Sequence, residues 1–470
     1  MVFSSIEFLY LYIPITLLIY FLIPAKYLSL RNLALLVVSL LFYGWGEPVY
    51  VFIMLFSIGV DYICGYLVAK NREASPKKAK AAMISSVVIN LSVLGFFKYL
   101  DFIIENLSLI PIFSSLKPLG IALPIGISFY TFQTMSYTLD IYLGKAKMQK
   151  NIFTFGSYVT MFPQLIAGPI VRYGDIDDQL RCRSHSFKQA SSGILRFICG
   201  LAKKVLLANT AGAVYEGLSL SVGNNPSLLS SWLALIFFSF QIYFDFSGYS
   251  DMAIGLGRIM GFEFNENFDY PYISKSITEF WRRWHISLSS WFKEYVYIPL
   301  GGNRKGRGRT IINLLVVWFL TGFWHGAQWN FIIWGIYYGV LLLVEKFLLG
   351  KLLKKLPKIF GWIYTMFFVI IGWVLFNLTD FSKLAMAIKT MFSAVPTDLA
   401  AIMTAHSDKL FELCFIPVAL IFMLPIRKRF DKFSGTGATI AANLVHLLLF
   451  AVCIIFSISS SYNPFIYFRF

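Results

Sequence analysis

Two short stretches carry the residue types that could do chemistry. The first is Trp281-Arg282-Arg283-Trp284-His285. The second is Thr321-Gly322-Phe323-Trp324-His325-Gly326. The chain has only five histidines, and two of them stand beside tryptophans in these stretches. A neutral imidazole takes a proton from a hydroxyl group near pH 7, which turns a poor nucleophile into a useful one. An ionisable ring at membrane depth costs free energy, so His325, with His285 near it, is expected to serve a reaction. The alternative for His325 is a buried ring bonded to a neighbouring carbonyl. His285 could equally be an interfacial histidine.

The elements that hold these residues are apolar. Of 470 residues, 57% are hydrophobic and 14% are charged. A soluble domain of this size would not expose so much apolar surface. Apolar runs lie near 7–24, 33–45, 49–69, 81–97, 121–142, 152–171, 192–218, 231–260, 311–345, 360–378, 411–425 and 439–459. At ~20 residues per crossing they give about eleven full spans plus partial ones. They are continuous and do not alternate polar with apolar, which argues against a β-barrel. The expected fold is an all-α polytopic membrane protein. No polar linker divides the chain, so 1–470 reads as one membrane domain. The N-terminal run lacks a basic start and a small-residue cleavage site, and reads as a retained span.

The net charge of +17 falls in short loops between spans. That is the pattern of cytoplasmic loops near anionic lipid and not of nucleic-acid binding. Lys70, Arg72, Lys77, Lys78 and Lys80 form the densest early basic tract and are expected inside. Lys26 and Arg31 agree if 33–45 and 49–69 form a hairpin turning at Gly46-Glu47-Pro48. The N-terminus is then outside. The cysteines Cys64, Cys182, Cys199, Cys414 and Cys453 are scattered and form no metal-ligand spacing. No metal and no bound cofactor is expected.

Between Arg309 and Glu345 no charged residue occurs, and both flanks are basic. An even number of passes follows, so a hairpin turning near Thr321–Asn330 is expected. Rising from Ile311, a helix climbs ~22 Å by His325, against a hydrocarbon core of ~30 Å. His325 is thus expected at partial depth, where irregular backbone must be buried in protein or line a cavity. Upstream, Trp281, Trp284, His285, Leu288, Trp291, Phe292 and Tyr295 fall on one side at helical spacing. Arg282, Arg283, Ser289, Lys293 and Glu294 fall on the other, which predicts an amphipathic helix. Residues 98–120, with Pro111 and Pro118, read as an outer loop or partial helix. Met161 to Ile170, with Pro163, Gly168 and Pro169, reads as a broken or re-entrant helix. Asp245 and Asp251 place two carboxylates in an apolar stretch, with Arg258, Arg282 or a histidine as candidate partners. His185 and His406 read as solvated loop residues, and His446 as a helix-packing one. Serine-elbow, Walker A, zinc-protease and dinucleotide motifs are absent.

At these residues the chain resembles the membrane-bound O-acyltransferase family, and within it the bacterial alginate O-acetylase-like branch. The resemblance runs over nearly the whole length. It is carried by Leu123 to Phe129, Phe162 to Ile170, Tyr243 to Asp251, Phe280 to Ser289, Tyr297 to Asn303, Gly322 to Gly326 and Pro464 to Phe468. The family's near-universal histidine matches His325 and its second histidine matches His285.

The resemblance implies a ring of helices thinned at the centre around a cavity. It implies transfer of an acyl group, expected to be acetyl, from a cytosolic thioester to a hydroxyl. The donor would be acetyl-CoA or an acyl carrier protein thioester, and the acceptor an extracytoplasmic polysaccharide or a partner acetyltransferase. Polysaccharide-assembly proteins and membrane lipids would be its partners, and a bacterial inner membrane its location. Trp281, Arg282, Trp284, Asn303, Trp324, Asp245 and Asp251 are the expected substrate or donor contacts. The tetrahedral oxyanion needs donors, which His285, tryptophan N–H groups or Asn303 would supply. A sister reading is D-alanyl transfer to teichoic acid. A rival of another class is a transporter or flippase of polysaccharide precursors. That rival predicts inverted repeats, and none is visible.

Overall fold

The computed structural model describes residues 2–224, 228–393, 415–425, 436–459 and 465–466. His406 and Cys414 lie outside them, as do Pro464, Tyr467 and Phe468. The described chain is helical and has no strand. Eight of its helical stretches are long and apolar enough to cross a membrane, with a shorter apolar one at Phe8–Leu22. About eleven spans were expected. The difference lies in runs that fold into shorter pieces.

Internal contacts gather into two compact units. One is Met1–Phe197 with Ser250–Glu266, and the other is Ile198–Tyr249 with Asn267–Phe470. The first unit contains α1 (Ile13–Leu22), α2 (Leu28–Gly46), α3 (Val51–Asn71), α4 (Pro76–Ser108), α5 (Ile127–Leu143), α6 (Ile152–Thr160), α7 (Phe162–Leu165) and α8 (Tyr173–Arg181). The turn expected at Gly46-Glu47-Pro48 does separate α2 from α3. Helix α4 continues to Ser108, so of the outer loop or partial helix expected over 98–120 the first half is helix. Lys98, on this part of α4, is buried and donates to Ser128 Oγ (3.1 Å).

Lipid tails are as apolar as leucine, so hydrogen bonds and close packing must hold such helices together. Asp61 on α3 does this for the first unit. It accepts from Ser86 and from Asn90 Nδ2 (2.8 Å) on α4, and from Thr138 (3.1 Å) on α5. The break expected within the run 152–171 is also present: α6 stops at Thr160 and Met161 turns out of helical geometry. The freed carbonyls are satisfied locally. Gln164 Nε2 donates to Tyr158 O, and the Tyr158 hydroxyl donates to Val171 O (2.9 Å).

Helix α9 (Phe187–Ala202) crosses from the first unit into the second, which continues with α10 (Asn209–Asn224) and α11 (Leu228–Ile259). The site-bearing elements follow: α12 (Ile277–Arg283), α13 (Ile286–Phe292), α14 (Gly306–His325) and α15 (Trp329–Val344). After them come α16 (Gly350–Lys355), α17 (Lys358–Asn377), α18 (Phe381–Met391), α19 (Phe415–Met423) and α20 (Thr436–Ser459). The charge-free run 311–345 is a helical hairpin, as its basic flanks required. His446 on α20 sits against Cys199 Sγ (3.4 Å) and bonds Ala442 O (2.6 Å), the packing role expected of it.

Candidate active site

The hairpin of α14 and α15 is closed by glycine. A Cβ on Gly335 would lie 2.3 Å from Trp318 O, and one on Gly322 2.3 Å from Phe331 O. Backbones therefore touch at this level, as small residues permit in membrane helices. Three residues further on, α14 ends at His325, and Gly326-Ala327-Gln328 make the turn into α15. His325 is buried among Trp324 (ring centroids 5.1 Å apart), Trp334 (5.1 Å) and Phe376 (5.3 Å).

His285 arrives by a different route. The single amphipathic helix expected over 281–295 is two helices with a break at Trp284 and His285. Trp284 is extended and His285 is left-handed (φ 44°, ψ 53°). Among the described residues only Tyr270 and His285 adopt positive φ without being glycine. The competing interaction that breaks the helix is Asn267. Its carbonyl accepts Ile286 N–H (3.0 Å), and its Oδ1 accepts Ser287 N–H (3.1 Å) and Ser287 Oγ–H (2.8 Å). These bonds satisfy the first donors of α13, which an unbroken helix would have paired internally. Asp269 adds to it, accepting from Arg283 Nη1 (3.1 Å) and donating its N–H to Arg283 O (2.9 Å).

The start of α12 is fixed as well. The buried carboxylate of Glu345, just beyond α15, accepts from the N–H groups of Ile277 and Thr278 and from the Thr278 hydroxyl (2.6 Å). One end of the hairpin thus holds the helix that leads to His285, and the other end carries His325.

The result is a pair of buried imidazoles with ring centroids 6.4 Å apart and planes at 68°. Trp324 borders both, lying 6.1 Å from His285. Burial pushes the His285 pKa down to about 3, so this ring is neutral at physiological pH. Its Nδ1 has no hydrogen-bond partner among the described residues. The same holds for Trp281 Nε1, Trp334 Nε1 and the Tyr338 hydroxyl. These three packed aromatics have centroids 4.8–5.5 Å apart, and Trp334 is the one that touches His325. Buried polar atoms are almost always paired. One such atom is on His285, and three are on the aromatic cluster that meets His325 through Trp334.

The other expected contacts are placed elsewhere. Trp284 faces away from the pair, stacked on Phe280 (5.6 Å) and against Trp373 (4.8 Å). Arg282 is exposed. Asn303 is exposed too, its Oδ1 accepting from Tyr297 and Lys346. Asp245 forms a buried ion pair with Lys204 (2.6 Å) and accepts Ile466 N–H (2.9 Å). Asp251, in the first unit, pairs with Arg196 (2.7 Å). The cations they pair with, Arg196 and Lys204, are not among the candidates Arg258, Arg282 and the histidines. Asn267, Trp334, Tyr338 and Glu345 are the residues that sequence reasoning missed. Glu345 stood out only as the end of a charge-free run, and Asn267 gave no signal.

Comparison with known proteins identifies the family. The model of the membrane-bound O-acyltransferase family matches residues 145–384, which hold both histidines. The chain is 39% identical to the "Probable alginate O-acetylase AlgI" of Pseudomonas putida over the whole of both chains. It is 31% identical to the "Peptidoglycan O-acetyltransferase" of Helicobacter pylori over 100% of this chain and 98% of that one. It is 29% identical to the "Teichoic acid D-alanyltransferase" of Bacillus subtilis over 54% of this chain and 68% of that one. The chain belongs to the membrane-bound O-acyltransferase family and is a multi-pass membrane acyltransferase.

Proposed function

We propose that this protein moves an acetyl group from a cytosolic thioester to hydroxyls of an extracytoplasmic polysaccharide, directly or through a partner acetyltransferase, with His325 as general base. The observation that carries the reading is the pair of buried imidazoles 6.4 Å apart, beside an aromatic cluster whose N–H and O–H groups have no partner among the described residues. In the proposed step the His325 ring takes the acceptor's hydroxyl proton while the oxygen attacks the thioester carbonyl. The tetrahedral intermediate then collapses, the C–S bond breaks, and the imidazolium returns the proton to the leaving thiolate. The products are an O-acyl ester and a free thiol, with no covalent enzyme intermediate. His325 closes the last turn of α14, where free carbonyls favour a positive charge. His285, held neutral, and Trp334 Nε1 are the donors nearest the developing oxyanion.

The acetyl donor in this reading is acetyl-CoA or an acyl carrier protein thioester, and the protein sits in a bacterial inner membrane beside a partner acetyltransferase and polysaccharide-assembly proteins. Full-length similarity to two proteins named as O-acetyltransferases favours acetyl over D-alanyl transfer, since the D-alanyltransferase match covers about half of the chain. The test is to express His325→Ala and follow O-acyl esters on the cell-surface glycans. A general base contributes roughly 10²–10⁴-fold, so ester content falls to background while the protein still inserts and folds. Unchanged acylation by a folded His325→Ala protein rejects the assignment. Esters of D-alanine in place of acetate would move the reading to the sister activity.

A further inference from the structure

A second cluster of polar residues lies in the first unit and shares nothing with the histidine pair. It is built from Tyr20 on α1, Arg31 on α2, and Arg183 and His185 between α8 and α9. The carbonyl of Met260, just past α11, completes it. His185 is not the solvated loop residue that its basic neighbours suggested. Its Nε2 lies 2.8 Å from the Tyr20 hydroxyl and 3.1 Å from Met260 O, and Arg31 Nη1 lies 3.1 Å from both ring nitrogens.

Proton counting fixes the charge. The single Tyr20 hydroxyl proton goes to Met260 O (2.8 Å), and the Tyr20 hydroxyl oxygen accepts from Arg183 Nε (3.0 Å). His185 Nε2 must then be the donor, which leaves Nδ1 as a lone pair facing Arg31. The ring is neutral, and burial together with the two guanidiniums holds its pKa down.

Two guanidinium charges therefore share one spot. Arg31 is only 4% exposed. Its Nε is bonded to Ile23 O (2.9 Å) and Arg183 Nη1 to Gln179 O (3.3 Å). Arg183 Nη2 is buried and has no hydrogen-bond partner among the described residues. Among the described residues neither arginine forms an ion pair with a carboxylate. Aromatic faces supply the rest of the surroundings: Phe262 under Arg183 (4.2 Å) and Tyr20 under Arg31 (5.0 Å). Buried like charges without a counter-charge are unfavourable, and buried ions are normally paired.

We infer that Arg31 and Arg183 form a binding site for the oxyanion of a phosphate group. Planar guanidinium forks match phosphate oxygens bidentately, and the buried, unpartnered Nη2 of Arg183 is the donor such an oxygen would take. Phe21, Leu22 and Leu30, on the same two helices, are exposed apolar residues. Phe21 stands 6.1 Å from His185, at the margin of the cluster. A phospholipid headgroup and a free phosphate share the recognised chemistry.

The full chain, purified and depleted of lipid, tests this in two arms. One reads retention of phosphatidylglycerol by native mass spectrometry after release from nanodiscs. The other reads the melting temperature against inorganic phosphate at constant ionic strength. Wild type is expected to respond in at least one arm, and Arg31→Gln/Arg183→Gln to weaken that response by at least about tenfold. A response to phosphatidylglycerol alone assigns a lipid headgroup, and one to inorganic phosphate alone a soluble ligand. Lys77→Gln/Lys78→Gln, which neutralises an exposed basic pair, is expected to respond as wild type. If the double variant does not fold, Arg183→Gln alone decides, since it removes the unpartnered N–H. No response from wild type in either arm overturns the inference, as does an equal response from a folded arginine variant.

Discussion

Replacing Gly335 with alanine should both loosen the protein and slow it. The new Cβ would sit 2.3 Å from Trp318 O, 3.0 Å from Gly322 Cα and 3.1 Å from Gly322 N. All three are main-chain atoms, so no side chain can rotate out of the way. An ordinary contact begins near 3.4 Å, so α14 and α15 must part by about 1 Å. Overpacking of this kind costs about 1–3 kcal/mol. The displaced level is one helical turn below His325, and a ~1 Å error at a reacting group costs on the order of 10²-fold in rate. Gly308→Ala on α14, the other helix of the hairpin, is the control. Its Cβ meets nothing within 4 Å, so alanine there stabilises by about 0.5–1 kcal/mol through the backbone alone. Thermal unfolding followed by tryptophan fluorescence reads the stability term, and O-acyl ester formation in membranes reads the rate. A Gly335→Ala protein that melts and acylates like wild type would refute the close packing and its link to His325.

Other perturbations test separate parts of the site. His285 has its pKa pushed down to about 3 by burial, whereas an unfolded histidine titrates near ~6.5. Its contribution to stability is therefore complete above pH ~6.5 and is lost as pH falls toward the folded value, about 2 kcal/mol of it by pH 5. Denaturant unfolding of His285→Gln should show a flatter loss between pH 7 and 5 than wild type, and parallel curves would contradict a buried neutral ring. Asn267→Ala strands the Ser287 N–H and hydroxyl, costing about 1–3 kcal/mol, while Asn267→Asp keeps the acceptor and should be milder by the same melting assay. Lys204→Met leaves the Asp245 carboxylate buried without its cation and should cost about 3–5 kcal/mol. Adding Asp245→Asn should restore most of it, because the amide oxygen still accepts Ile466 N–H. Failure of the double variant to recover would mean the ion pair is not the main contribution.

How far the sequence could be read depended on whether one segment or two decided the geometry. The hairpin of α14 and α15 was legible because charge alone constrains it: Arg309 and Glu345 bracket a run too long for one crossing. The break after Thr160 was legible because Pro163 and Gly168 cannot continue a helix. The helix over 281–295 was misread for the converse reason. Its apolar spacing is helical, and nothing within it announces that Asn267 bonds across to Ile286 and Ser287. Likewise the partners of Asp245 and Asp251 lie some forty and fifty-five residues upstream, at Lys204 and Arg196, where local pattern gives no preference among candidate cations. His185 looked solvated because its neighbours are basic. The structure buries that basicity by stacking it on Tyr20 and Phe262.

The break at His285 also separates site from scaffold. A left-handed conformation costs a residue with a Cβ about 1–2 kcal/mol, and a helix running straight through 277–297 would avoid it. The three bonds that Asn267 makes, at about 1 kcal/mol each, are enough to offset that cost. They do so only if Asn267 and α12 are themselves held. Glu345 supplies the second constraint, since its carboxylate fixes the first turn of α12 from the foot of the hairpin. The position of one imidazole is thus set by the same hairpin that ends in the other. Strain persists where the surroundings over-determine it. Here what they over-determine is the spacing between two buried histidines, a quantity that packing alone has no reason to preserve.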